Sequence, residues 1–152
     1  MLEVADLVSG YGRARILRGL SFRIGAGELV MLLGRNGAGK STTLRTVMGL
    51  LRAESGSIRL AGQEIAGWEP HRIARAGLGY VPEERRIFAD LTVMENLEVG
   101  RQAPRAGLPA WTPERLFALF PNLGQMRDRP GGRMSGGEQQ MLTIARTLMA
   151  VS

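Results

Sequence analysis

The 152 residues contain no cysteine and a single histidine, His71. Disulfide frameworks and thiolate chemistry are therefore excluded, and a zinc site built from Cys and His has no ligand set to draw on. Aromatic residues make up only 5% of the chain, too few for a platform on which nucleic-acid bases stack. No long apolar segment exists. The longest aliphatic run is Leu29-Val30-Met31-Leu32-Leu33, far short of the roughly 20 residues that cross a bilayer. The opening residues Met1-Leu2-Glu3-Val4-Ala5-Asp6 have neither a basic stretch nor an apolar core of the signal-peptide kind, so a cytoplasmic location is the expectation. Lysine is almost absent too: Lys40 is the only one, and every other basic side chain is arginine.

The apolar share of 44% and the charged share of 22% are those of a globular domain large enough to bury a core. A net charge of +6 raises the question of nucleic-acid binding. The arginines are dispersed, however, with no block longer than Arg85-Arg86, so a solvated surface is expected and nucleic acid is not a partner.

Leu2–Val8 reads as a strand closed by a turn at Ser9-Gly10-Tyr11-Gly12, and Ile16–Ile24 as a second strand. Glu28–Leu33 is apolar on both faces, the pattern of a buried parallel strand. A helix is expected from about Lys40 to Met48, with Leu44, Val47 and Met48 inward and Gly49 as its C-terminal cap. Ser57–Leu60 and Leu78–Val81 read as short strands, and Pro70 opens a helix ending near Gly77. Thr92 with Glu95, and Ser135 with Glu138, have capping-box spacing; Thr112-Pro113-Glu114 opens a further helix. In the last helix Met141, Ala145 and Leu148 recur at helical spacing.

Between the apolar run and the first helix lies Gly34-Arg35-Asn36-Gly37-Ala38-Gly39-Lys40-Ser41, a phosphate-binding loop with every fixed position filled. The glycines let the backbone curl so that amides from Gly37 to Ser41 point at an anion, and the loop ends at a helix N-terminus, where free amides and the helix dipole favour phosphate. Lys40 is placed to reach the β- and γ-phosphates, Ser41 to ligand Mg²⁺, and Thr42 to contact the α-phosphate. The single lysine thus stands where a compact point charge is needed. A second glycine-rich helix start, Met134-Ser135-Gly136-Gly137-Glu138-Gln139-Gln140, again offers a hydroxyl and free amides to an anion.

With both motifs in place the chain resembles the ATP-binding-cassette ATPases from Leu2 to about Ala150. The resemblance implies a P-loop α/β fold with an N-terminal antiparallel β subdomain, a parallel-sheet core and a helical subdomain. Gly34, Asn36, Gly37, Ala38, Gly39, Lys40, Ser41 and Thr42 would hold ATP with Mg²⁺. Ser135, Gly136, Gly137, Glu138 and Gln139 correspond to the signature motif, which in the family meets the γ-phosphate held by a partner in a head-to-tail dimer. Tyr11 falls where the family places an aromatic on adenine, although it could equally be a turn aromatic packed on the sheet. Glu83 takes the position of the Q-loop glutamine; as a carboxylate it is a second candidate Mg²⁺ ligand but donates no hydrogen bond. The resemblance divides the chain into about 1–82 for the β and P-loop core, 83–134 for the Q-loop and helical subdomain, and 135–150 for the signature helix.

Val81-Pro82-Glu83-Glu84-Arg85-Arg86-Ile87-Phe88, Leu91–Leu97 and Gly136–Leu142 resemble the smaller ATPase subunit of branched-chain amino-acid importers, with urea-type importers a close alternative. Such a subunit works on the inner face of the plasma membrane, bound to transmembrane permease subunits. The family's hydrolytic apparatus also includes an aliphatic strand ending in Asp-Glu and a later switch histidine. Neither is found here: Asp6, Asp90 and Asp128 follow no aliphatic run, and His71 precedes the signature. The expectation is a cassette cut after the signature helix, leaving two readings: an ATPase subunit, or a nucleotide-holding module without turnover. A GTPase is disfavoured because the guanine motif needs a second lysine, and a P-loop kinase because of the signature motif. A soluble, non-transport member of the same family, acting in DNA repair or translation, is a further reading, though the insertions expected of it are not found. The missing strand would leave an apolar sheet edge unpaired, so marginal stability and self-association are expected. A sharp monomeric sedimentation peak with cooperative unfolding would contradict this.

Overall fold

The computed structural model describes residues 1–151 and divides into two compact units, Met1–Ala76 and Gly77–Ser152. In the first unit, β1 (Leu2–Tyr11), β2 (Ala14–Ile24), β3 (Ala53–Leu60) and β4 (Gln63–Glu64) form one antiparallel sheet in the order β2-β1-β3-β4. Alternation along β1, re-phased by an irregularity between Val4 and Leu7, buries Leu2, Val4, Leu7 and Ser9. Helix α1 (Lys40–Val47) packs on the sheet, and α2 (Pro70–Arg75) begins with proline at its first turn, as the sequence predicts.

Two local expectations change. Strand β1 continues through Ser9 and Gly10, absorbing register shifts, and the hairpin turns at Gly12-Arg13. Tyr11 is thus the last strand residue and not part of the turn. In α1 the buried residues are Thr42, Thr43, Thr46 and Val47, while Leu44 is 50% exposed. The threonines tolerate burial because their hydroxyls are bonded. Thr43 Oγ1 donates to Gly39 O at 2.8 Å, and Ser9 Oγ, which donates to Arg52 O, accepts from Thr46 at 3.0 Å. Gly49 ends the helix as expected, at φ 71°, with Leu50 N bonded to Arg45 O and Gly49 N to Thr46 O, a Schellman closure.

The larger correction concerns 28–33. This segment pairs with none of the four strands, all of which run antiparallel, and Leu29, Met31 and Leu33 are 93%, 74% and 80% exposed. The buried parallel strand read from its composition is not formed. Burial on both faces requires a paired strand at each edge and a layer over each face, and the described residues supply neither. Leu78–Val81 likewise adopts no strand.

Glu64 ties β3 to β4. Its carboxylate accepts from Ser57 Oγ, from Ile58 N at 2.9 Å and from Ala66 N at 3.2 Å, with Arg59 at 3.6 Å. Partial desolvation raises its pKa, but these hydrogen bonds and the arginine hold it below the ordinary value of 4.5. A carboxylate with a lowered folded pKa contributes stability above its unfolded pKa and loses that contribution as pH falls through the folded value. Acid unfolding of the wild type should therefore show a component below pH 4.5 that is absent in Glu64→Gln, as followed by circular dichroism.

The second unit is helical: α3 (Val93–Gly100), α4 (Pro113–Leu119), α5 (Pro121–Gln125) and α6 (Gly136–Ala150), with one 3₁₀ turn at Gly131–Arg133. Val93, Leu97, Leu116, Leu123, Leu142, Ala145 and Met149 make its core. The inward stripe of α6 is therefore Leu142, Ala145 and Met149, with Met141 and Leu148 at its margin. Buried Asn96 accepts from Phe88 N at 2.8 Å and donates to the carbonyls of Phe88, Leu91 and Thr92, fixing the loop that enters α3. Among the described residues no helix is long and apolar enough to cross a membrane.

Candidate nucleotide site

The loop from Gly34 to Thr42 belongs to the first unit and is built around two left-handed glycines, Gly37 at φ 83° and Gly39 at φ 98°. Gly39 is the N-cap of α1, and no side chain caps that end. The first helical bond runs from Thr43 N to Gly39 O at 2.8 Å, so the amides of Lys40, Ser41 and Thr42 have no acceptor within the helix. Ala38 N bonds to Arg35 O at 3.1 Å, closing the turn that carries Asn36 and Gly37. A Cβ on Gly37 would meet nothing within 4 Å, so the loop is open to its surroundings there.

Lys40 reaches back across this loop, its ammonium donating to Gly34 O at 2.6 Å and Arg35 O at 2.9 Å. An ammonium has three donors, so one remains for an anion while the other two hold the charge over the loop. Free amides, a helix dipole and one compact cation are thus gathered on one loop, the donor set that suits a phosphate. Mg²⁺ also fits this chemistry. The described residues contain no cluster of three acidic or histidine side chains able to cage a metal. An ion carried on phosphate oxygens needs only one or two protein oxygens, and the Ser41 hydroxyl at the helix start can be one.

Tyr11 is 47% exposed at the end of β1, and its hydroxyl lies 3.2 Å from Arg45 Nη1. That hydrogen bond holds the phenol below its ordinary pKa of 10.0, against slight desolvation and with a second hydrogen bond from Thr42. Sequence reading passed over Arg45. The available signal was its position four residues after Ser41, which puts both side chains on one face of α1. Beside the hairpin runs an open cleft of about 1060 Å³, lined by Arg13, Arg15, Arg18 and Glu54 with Val8 and Ile16. Ile16 also borders the P-loop: a Cβ on Gly39 would come within 3.2 Å of its Cγ2.

The remaining candidates lie in the second unit. Ser135 caps α6 in a complete capping box, with Glu138 N donating to Ser135 Oγ and Ser135 N to Glu138 Oε2 at 2.7 Å. Glu138 is thus engaged in shaping the helix start. Gln139 Nε2 donates to Gly131 O at 3.1 Å. Gly137 is open, whereas Gly136 faces the Arg85 guanidinium, which a Cβ would approach to 2.8 Å. Glu83 lies on an exposed bend. The loop after it is tied to α6 by Arg146, which donates to Arg86 O and lies 5.1 Å from the Phe88 ring.

Comparison with known proteins agrees with this architecture. The branched-chain amino-acid transport ATP-binding protein BraG of Pseudomonas aeruginosa is 42% identical over 150 residues, covering 99% of this chain and 64% of its own length. The lipopolysaccharide export ATP-binding protein LptB of Haemophilus influenzae is 36% identical over 152 residues, covering 99% and 63%. The chain thus spans less than two thirds of the length of these relatives. A solved ATP-binding subunit of an ABC transporter superposes with TM-score 0.81 at 32% identity, over 99% of this chain and 62% of that one. A nucleotide-free cassette from an ABC transporter does so with TM-score 0.81 at 26% identity, over 99% and 65%. A profile of the ABC transporter family matches residues 17–152. The chain belongs to the ABC transporter family and has the P-loop α/β fold of its ATP-binding cassettes.

Proposed function

We propose that the chain is the nucleotide-binding part of an importer ATPase that couples ATP to uptake of branched-chain amino acids. The observation carrying this reading is the Lys40 ammonium, held over an uncapped helix start between two left-handed glycines. Gly34, Asn36, Gly37, Ala38, Gly39, Lys40, Ser41 and Thr42 would surround the phosphates, with backbone amides supplying most donors. Tyr11 would stack on adenine. Mg²⁺, held by Ser41 and the phosphates, would neutralise phosphate charge when bound.

Ser135, Gly136, Gly137, Glu138 and Gln139 would meet the nucleotide held by a second cassette in a head-to-tail dimer. In that arrangement Gly137 and the free amides of α6 do the contacting, while Glu138 shapes the helix start. The permease would be the membrane partner, at the cytoplasmic face. The likeness to BraG supports branched-chain amino acids as cargo. The likeness to a lipopolysaccharide exporter subunit is the reason to test cargo directly.

The test has two arms. Steady phosphate release from Mg-ATP that disappears in Lys40→Ala would support an ATPase; nucleotide binding without release would support a holding module. In cells carrying the chain with its own permease, leucine uptake should fall in Lys40→Ala. Unchanged leucine uptake with lost urea uptake would instead assign the urea-type reading.

A further inference from the structure

We propose that Arg45 is a positioning residue for Tyr11, holding the phenol so that its ring faces the base of a nucleotide whose phosphates lie on the P-loop. The inference rests on the reading of Tyr11 as the base-stacking residue. Tyr11 precedes a two-residue turn and is half exposed, so sheet packing alone leaves its ring able to change rotamer. Its hydroxyl reaches α1, where Arg45 Nη1 lies at 3.2 Å and Thr42 is a second hydrogen-bonding neighbour. Both are residues of the helix whose first amides form the phosphate cradle. Thr42 is buried and bears on the loop itself, and Arg45 shares a helical face with Ser41. One rigid helix thus sets the spacing between the base platform and the phosphate site. A ring held in place before binding loses less conformational freedom when the base arrives.

A tether acts through the tyrosine hydroxyl and leaves the phosphate subsite alone, which separates it from direct phosphate contact. The test measures affinities of the full chain for ATP and for inorganic tripolyphosphate in Tyr11→Ala, Tyr11→Phe, Arg45→Met and Tyr11→Phe/Arg45→Met. Tyr11→Ala should weaken ATP about tenfold or more through lost stacking. Tyr11→Phe and Arg45→Met should each weaken ATP by about 3–10-fold and leave tripolyphosphate unchanged. The double variant should be no weaker than either single one, because both delete the same bond. With Tyr80→Phe leaving Tyr11 the only tyrosine, Arg45→Met should also move its phenol titration to higher pH.

Four results would overturn the tether. Equal weakening of tripolyphosphate in Arg45→Met would make Arg45 a phosphate ligand. Tighter ATP binding in Arg45→Met would mean that the contact holds the ring away from the base. Unchanged ATP affinity in Arg45→Met beside a large loss in Tyr11→Ala would leave stacking intact without the tether. If Tyr11→Ala itself has no effect, the stacking reading falls, and the tether with it.

Discussion

Lys40→Ala should lower the affinity of the chain for Mg-ATP by about 100-fold or more, measured by titration with a fluorescent ATP analogue. Two losses combine. The ammonium is the only lysine charge in the protein, and it stands over the loop that the amides of α1 face. Its bonds to Gly34 O and Arg35 O also hold the two ends of the loop together, so removal loosens the cradle as well as discharging it. Lys40→Arg should not restore binding. A planar guanidinium presents its donors in a fixed fork and cannot direct two at these carbonyls and a third at phosphate in the geometry of an ammonium. Because the carbonyl contacts are local to the loop, the variant should unfold at nearly the wild-type denaturant concentration. An ATP affinity within threefold of wild type would remove the charge from the account.

Gly39→Ala should destabilise the first unit by about 2–3 kcal/mol. At φ 98° any side chain strains the backbone, and here the added Cβ would also come within 2.9 Å of Leu17 Cδ2 and 3.2 Å of Ile16 Cγ2. Leu17 is buried, so it has little room to yield. Gly37→Ala supplies the comparison. Its φ of 83° carries a similar strain, but the new methyl meets nothing, so the cost should be about 1–2 kcal/mol. The difference isolates the packing of the loop against β2. Trp68 belongs to the first unit and Trp111 to the second, so Trp111→Phe leaves one fluorophore reporting urea unfolding of the unit in question. Equal costs for the two glycines would show that the contact with β2 is not what demands glycine at 39.

These two predictions lie where the sequence was most legible. The P-loop could be read because its chemistry is local: glycine, lysine and hydroxyl at fixed spacing determine the curl, the charge and the helix start within eight residues. The capping boxes at Thr92 and Ser135 were legible for the same reason, since each is a reciprocal pair three residues apart. Most of the misreadings involve distant partners. The run at 28–33 has the composition of a buried strand, but composition does not reveal whether strands are present to flank it. Leu44 was expected inward on its apolarity, whereas the α1 face toward the sheet carries threonines whose hydroxyls find carbonyls and Ser9. The contact between Arg45 and Tyr11 spans 34 positions, and no local pattern announces it. Helix α5, the five residues Pro121–Gln125, is too short for periodicity to register.

The proposed role of the amides at the start of α1 is to hold the phosphates of a nucleotide beneath the Lys40 charge. The most direct measurement is a ¹⁵N–¹H correlation spectrum of the full chain, titrated with Mg-ATP and then with inorganic tripolyphosphate. Saturable shifts of the Gly37, Gly39, Lys40, Ser41 and Thr42 amides are expected with both ligands, and none in Lys40→Ala. Shifts that spare these residues and follow the exposed arginines would contradict that role, reducing the chain's interaction with ATP to the attraction of a polyanion by a basic surface.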